Sequence, residues 1–210
     1  MSPKRLLMTA LVTVAILTAS AFSQKNELTG IIGRTFTSDQ GVKNLNLFNN
    51  NIHFGKGLTL EANYARHLWD TGLWRLSFEV PAVINIDEDL NLVANSVPES
   101  YSSYFVTPSV RANLFSSTAV SPWLSAGGGV GHFKPSSNLV FGGPSGAKST
   151  TTGVMQIGIG LDVKLTNHFA LRGEARDFWS GTPDLLVDTG KSRQHNYCVG
   201  GGVIWRFGKS

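Results

Sequence analysis

The stretch that decides the fold is WRLSFEVPAVINI, residues 74–86. Every second residue of it, starting at Trp74, is apolar, and the residues between include Arg75, Glu79 and Asn85. A helix cannot place every second residue on one side, whereas a strand must. The stretch is longer than the roughly 5 or 6 residues of a usual globular strand, and a tilted membrane-spanning strand needs roughly 9 to 11. It therefore predicts one long strand with an apolar and a polar face.

The same alternation recurs along the chain and predicts eight strands. They cover residues 26–36, 58–69, 74–86, 104–114, 123–133, 155–165, 169–176 and 196–207. The faces of the first strand stay unassigned, because Ile31 and Ile32 are adjacent. Pro81 and Pro108 each remove a backbone donor from a strand, so we expect bulges or distorted pairing at both.

The links between these strands alternate in length. The short ones lie at about 70–72, 116–121 and 166–168, and the long ones at about 37–56, 87–103, 135–151 and 179–194. Short turns on one side and long loops on the other are the layout of outer-membrane barrels, whose long loops face outward. The predicted fold class is all-β, an eight-stranded antiparallel up-and-down transmembrane β-barrel in the outer membrane.

Aromatic residues gather near the predicted strand ends, as expected for the two interfacial girdles of such a barrel. The periplasmic set is Trp69, Trp74, Trp123, Phe169, Trp205 and Phe207, and the outer set is Tyr101, Tyr104, Phe133, Trp179 and Tyr197.

The first 23 residues have the pattern of a secretory signal peptide. Lys4 and Arg5 precede an apolar segment that ends near Thr18, and small residues follow at alternate positions. We predict a cleaved signal peptide at 1–23 and a barrel domain at 24–210. Removing Lys4 and Arg5 takes two positive charges from the formal net charge of +4, so the basic pI does not indicate nucleic-acid binding. The single cysteine, Cys198, excludes an intramolecular disulfide.

Three segments resemble the outer membrane protein A-like β-barrel family: residues 169–176, residues 122–131 and the aromatic close at Trp205 and Phe207. The resemblance covers about residues 26–207. It implies the same barrel fold and an assembly signal in the last strand, recognised by the barrel-insertion machinery. Gly202, Trp205 and Phe207 match the spacing of that signal, although Gly200 stands where a polar residue is usual.

The inward faces carry three acids and three bases at comparable depth. They are Glu61, Glu79, Arg111, Arg172, Glu174 and Arg176. Unpaired charges in a dry interior cost several kcal/mol each, and an eight-stranded barrel is just wide enough for side chains to fill it. We therefore expect a neutral salt-bridge network that fills the lumen.

The leading functional hypothesis is a non-enzymatic outer-membrane protein that is structural or interacts with surface ligands through its long loops. Its expected partners are outer-membrane lipid and lipopolysaccharide. One alternative is a narrow ion channel gated by the lumen salt bridges, as the family resemblance permits.

A second alternative is a lipid-modifying enzyme. The outer-membrane lipid A deacylases use a His-x-Ser pair on one strand face, and none of the five histidines has a serine two residues later. The histidines are also scattered without metal-ligand spacing. The sequence thus predicts no catalytic, cofactor or metal residues.

Overall fold

The computed structural model describes residues 26–43, 51–91 and 96–208, so the predicted signal peptide lies outside the described residues. The described chain forms eleven β-strands. They are β1 (Asn26–Thr37), β2 (Gln40–Gly41), β3 (Asn51–Phe54), β4 (Leu58–Asp70), β5 (Trp74–Asn91), β6 (Ser100–Val106), β7 (Ser109–Leu114), β8 (Val120–Pro135), β9 (Thr150–Lys164), β10 (Phe169–Gly181) and β11 (Arg193–Phe207). No helix of the described residues is long and apolar enough to cross a membrane.

The strands close into an eight-stranded antiparallel barrel, which confirms the predicted fold class. The fourth barrel strand consists of β6 followed by β7, which both pair with β5 and β8. The order around the wall is β1, β4, β5, β6/β7, β8, β9, β10 and β11. The last strand pairs back with the first, from Asn26 opposite Phe207 to Thr37 opposite Asn196. Such closure satisfies the backbone groups that an open sheet edge would leave bare in lipid.

Side chains alternate between a buried inward face and an exposed, mostly apolar outward face, as predicted. The first strand is now assigned: Ile31 points inward and is 5% exposed, whereas Ile32 points outward and is 66% exposed. The inward face of β1 therefore carries Glu27, Thr29 and Thr35, all of them buried.

The two prolines lie at the same break in the wall. The pairing of β5 with β7 stops at Glu79 opposite Ser109, and its pairing with β6 resumes at Ala82 opposite Val106. Pro81 and Pro108 both fall within this interval. The distortion predicted at Pro108 is confirmed, whereas Pro81 still holds a regular place opposite Asn63 on the β4 side.

Three of the four predicted long loops were too long. β5 continues to Asn91 and β10 to Gly181, and the first loop contains the short strands β2 and β3. The remaining outer connections are 38–57, 92–99, 136–149 and 182–192. Above the lipid, the inward residue Leu90 is apolar and its exposed neighbour Asp89 is polar, which is the soluble-protein pattern. Outward apolar residues, which indicated the strands in the sequence, are therefore missing at the outer end of β5.

Two neighbouring glycines of β11 make the barrel closure testable. A Cβ at Gly202 would lie 1.9 Å from the Gly30 carbonyl oxygen, whereas one at Gly201 would come no closer than 3.5 Å to any heavy atom. We expect Gly202→Ala to destabilise the refolded barrel by about 1–3 kcal/mol, because backbone atoms of β1 must move. Gly201→Ala is the matched control and should have little effect.

The measurement is the urea midpoint of each variant refolded in detergent, with heat-modifiable gel migration as the check on folding. Equal destabilisation by the two substitutions would contradict the close approach of β1 and β11.

Candidate functional site

The lumen brings together all six charged residues predicted to lie there. Glu61 comes from β4, Glu79 from β5 and Arg111 from β7, and all three are buried. Residues Arg172, Glu174 and Arg176 alternate along β10 and are buried as well.

Arg176 is the point where three carboxylates meet. Its Nε donates to Glu174 Oε1 at 2.7 Å, and its Nη1 donates to Glu79 Oε1 at 2.9 Å. Its Nη2 lies 3.5 Å from Glu61 Oε1. The guanidinium therefore joins β4, β5 and β10 across the barrel interior. A planar group with five donors suits such multiple pairing.

Glu27 forms a second centre, in which one carboxylate lies among several arginines. The sequence analysis did not identify this residue. Arg111 donates to Glu27 Oε2, and Arg206 donates to Glu27 Oε1 at 2.9 Å. His67 Nε2 lies 3.0 Å from the same Oε1. Arg172 stands 3.8 Å from the carboxylate. Glu27 was missed because the faces of the first strand were unassigned.

Arg111 connects the two centres, since its Nη1 also donates to Glu79 Oε2 at 3.2 Å. At the barrel end Arg75 also pairs with the more exposed Asp70, at 2.6 Å. The lumen members of this charge network are five acids and five arginines: Glu27, Glu61, Glu79, Asp162, Glu174, Arg75, Arg111, Arg172, Arg176 and Arg206. The set is electrically neutral when His67 is neutral, which is the condition for burying so many charges at tolerable cost.

Trp123 lies at the middle of this network, and its predicted place in the periplasmic girdle was wrong. It is 2% exposed, and its Nε1 donates to Asp162 Oδ1 at 3.1 Å. Asp162 also receives two hydrogen bonds from Arg172, at 2.7 and 2.8 Å. Three guanidinium groups lie 5.0–5.9 Å from the indole ring: those of Arg172, Arg176 and Arg111. Such distances allow cation–π attraction.

The outer half of the lumen contains an apolar cluster, which the sequence analysis did not anticipate, beside buried polar residues such as Gln40 and Gln194. Tyr101 and Phe133, predicted for the outer girdle, instead point inward and are buried. Phe105 stacks on Phe178 with ring centroids 4.9 Å apart and contacts Phe133 edge-on at 5.7 Å. Burial in this cluster, rather than a place at the lipid interface, explains why these rings sit at the outer end of the barrel.

The outer connections close over this aromatic layer. Each side of the mouth contributes apolar residues to one buried cluster, among them Val42, Ile52, Val97 and Leu185. Backbone hydrogen bonds tie the connections together: Lys43 N to Asp188 O at 2.8 Å and Val140 N to Val97 O at 3.2 Å.

Glu88 is the exception among the buried acids. Its side chain is fully buried beside the hydroxyls of Thr37 and Tyr101. Within the part of the chain that the structure describes, no cation lies within ion-pairing distance of it, so hydroxyl groups rather than charged groups are its polar neighbours. A buried carboxyl group without a cation is costly to ionise.

The residues of the predicted assembly signal lie at the end of β11. Trp205 is exposed on the outward face, and its ring lies 4.8 Å from that of Phe207. Gly202 points inward, where its missing side chain lets β11 approach Gly30. Their role in assembly stays a prediction.

Two histidines make close contacts with aspartates on the exposed surface. His53 Nδ1 lies 2.6 Å from Asp39 Oδ2, and His195 Nδ1 lies 2.7 Å from Asp177 Oδ2. A carboxylate that orients an imidazole is one part of a nucleophilic site. In the described residues, no hydroxyl or thiol is hydrogen-bonded to His195 to complete such a site.

A closed eight-stranded barrel with an apolar exterior and a charge-filled interior defines the class: the chain is a small outer-membrane β-barrel. Among solved structures it is similar to the solid-state NMR structure of the outer membrane protein AlkL in lipid bilayers, at 15% identity and a TM-score of 0.54, over 90% of this chain and 92% of that one. It is also similar to Neisserial surface protein A, at 14% identity and a TM-score of 0.51, over 89% of this chain and 98% of that one.

The outer membrane enzyme PagL matches at 14% identity with a TM-score of 0.41, over 86% of this chain and 98% of that one. At such identities the likeness shows the fold alone and does not decide between an enzyme and a non-enzymatic barrel. No protein-family model and no curated protein matches the sequence.

The paired and the unpaired buried carboxylates predict opposite effects of the same substitution. Glu79→Gln removes the carboxylate that pairs with both Arg111 and Arg176. This should destabilise the barrel by about 3 kcal/mol, because two buried guanidinium groups lose a counter-charge. Glu88→Gln replaces a buried carboxyl group that has no cation, so the barrel should be as stable as the parent or more stable. Urea unfolding of both variants in lipid vesicles measures this. A larger loss from Glu88→Gln than from Glu79→Gln would contradict the assignment of partners.

Proposed function

We propose that the chain is a non-enzymatic integral outer-membrane barrel with a closed lumen, which acts through its outer loops. One observation carries the proposal: both halves of the lumen are filled, the inner half by the charge network and the outer half by the apolar cluster. A filled interior offers no room for a substrate path, so activity belongs on the outer surface.

The outer connections support this as an organised surface rather than as freely solvated loops. Lys148 N donates to the Asp184 carboxylate at 3.0 Å, which ties the third connection to the fourth. At the loop tips Phe141 is 65% exposed, and Leu186 is exposed with φ at 63°. Rigid loops that present apolar side chains suit binding, because less conformational entropy is lost on association.

Its partners follow from this position. We propose outer-membrane lipid and lipopolysaccharide around the wall, a surface ligand at the loops, and the barrel-insertion machinery at Gly202, Trp205 and Phe207. The exposed Trp205 and its contact with Phe207 support the last of these.

A narrow channel is the second candidate, and Arg176 favours it. Because this guanidinium already contacts carboxylates from β4, β5 and β10, it can exchange partners without being left unpaired. Partner exchange of that kind is what a salt-bridge gate requires.

Planar-bilayer recording separates these two functions. The closed-lumen proposal predicts no discrete conductance from the purified, folded protein, because ions have no hydrated path through paired charges and aromatic rings. Discrete conductance that changes in Arg111→Gln or Glu174→Gln would favour the channel and reject the proposal.

The enzyme alternative has its own test. Expression of the chain in a Gram-negative host should leave the mass spectrum of lipid A unchanged, with His195→Ala as the matched control. A change in acylation that disappears in His195→Ala would make the protein an enzyme.

A further inference from the structure

The outer rim of the wall carries a row of aromatic rings with a cation at each end. We call it the rim patch, and its residues are Arg34, Phe36, Lys56, Trp179, Arg193, His195 and Tyr197. All of them are exposed and lie at the outer ends of β1, β10 and β11 or in the link before β4.

The rings follow one another along the wall. The guanidinium of Arg193 lies 5.0 Å from the Trp179 ring, and Trp179 stacks on His195 at 6.2 Å. His195 in turn stacks on Tyr197 at 5.6 Å, with the two planes 6° apart.

The row continues across the seam where the barrel closes. Tyr197 is paired with Phe36 of β1. The Lys56 ammonium lies 5.7 Å from the Phe36 ring. Arg34 is held at the same end, because its Nη1 donates to the Lys56 carbonyl at 3.0 Å.

The cations of the rim patch differ from the arginines of the lumen in having no carboxylate partner. In the part of the chain that the structure describes, no acid lies within ion-pairing distance of Arg34, Lys56 or Arg193. The neighbouring acid Asp177 contacts His195 instead, with 2.7 Å between Oδ2 and Nδ1. Among the described side chains these cations therefore lack a complementary negative charge, and a ligand with anionic groups can supply it.

We propose that the rim patch binds a phosphorylated glycolipid of the outer leaflet. Phosphate groups would pair with Arg34, Lys56 and Arg193, since arginine and lysine bind phosphate through charge-assisted hydrogen bonds. The exposed side chains of Trp179 and Tyr197 would contact the sugar rings. Aromatic residues of membrane proteins sit at headgroup level, which is the depth at which such a headgroup lies.

The test is native mass spectrometry of the folded protein with lipid A carrying two phosphates. The variant Arg34→Gln/Lys56→Gln/Arg193→Gln should bind roughly tenfold or more weakly, because each basic residue near a lipid surface adds attraction for anionic headgroups. The matched control Lys43→Gln/Lys134→Gln/Lys148→Gln removes the same charge elsewhere on the outer side and should bind like the parent. Heat-modifiable migration confirms that each variant is folded.

Two further arms identify the ligand. Fully dephosphorylated lipid A should bind the parent protein weakly, and Trp179→Leu/Tyr197→Leu should reduce the preference for lipid A over phosphatidylglycerol. The proposal is overturned if the two triple variants lose affinity equally, if dephosphorylated lipid A binds as tightly, or if phosphatidylglycerol competes equally with the parent. It rests on the contact with lipopolysaccharide that is proposed above for the wall, and not on the action of the loops, so its failure would leave the predictions for conductance and loop binding unchanged.

Discussion

A lipid bilayer offers no hydrogen-bond partner to the backbone, and the rest of this structure depends on that constraint. It requires β11 to pair with β1 over the whole length of the seam. Closure then sends every second side chain outward into lipid and its neighbours into a lumen too narrow for bulk water. Charged groups on the inward face must therefore pair with one another, and the charge network is the result.

The network also joins strands that do not neighbour each other in the wall. Arg176 of β10 reaches Glu79 of β5, and Arg111 of β7 reaches Glu27 of β1. Because these contacts cross the lumen, they hold opposite walls of the barrel at a fixed distance. Backbone pairing between adjacent strands does not do this. Beyond the lipid, the outer ends of the strands are surrounded by water. There the inward side chains form a buried apolar cluster under the outer connections, as in a soluble protein. The charge network and the apolar cluster thus lie one above the other in the lumen, and the closed lumen that we propose rests on both.

The fold could be predicted because alternation assigns a face to each residue without any knowledge of the partner strand. The same rule placed Glu61, Glu79 and Arg176 in the lumen. It did not say which charges meet, because that depends on strand tilt and register. Glu27 was missed because the adjacent Ile31 and Ile32 obscured the faces of β1. Trp123 could have been placed inward by alternation with the apolar Leu124, which is exposed in the structure. The apolar cluster depends on contacts between distant loops, for which a local pattern carries no signal.

The closed lumen is tested most directly by the chain's single cysteine. Cys198 points into the apolar outer half of the lumen, is 6% exposed, and lies 3.2 Å from the Thr35 hydroxyl. A small, charged, membrane-impermeant thiosulfonate should leave Cys198 unmodified in the folded barrel and modify it fully after unfolding in urea. Rapid modification of the folded protein would show a water-filled path through the lumen and contradict this account.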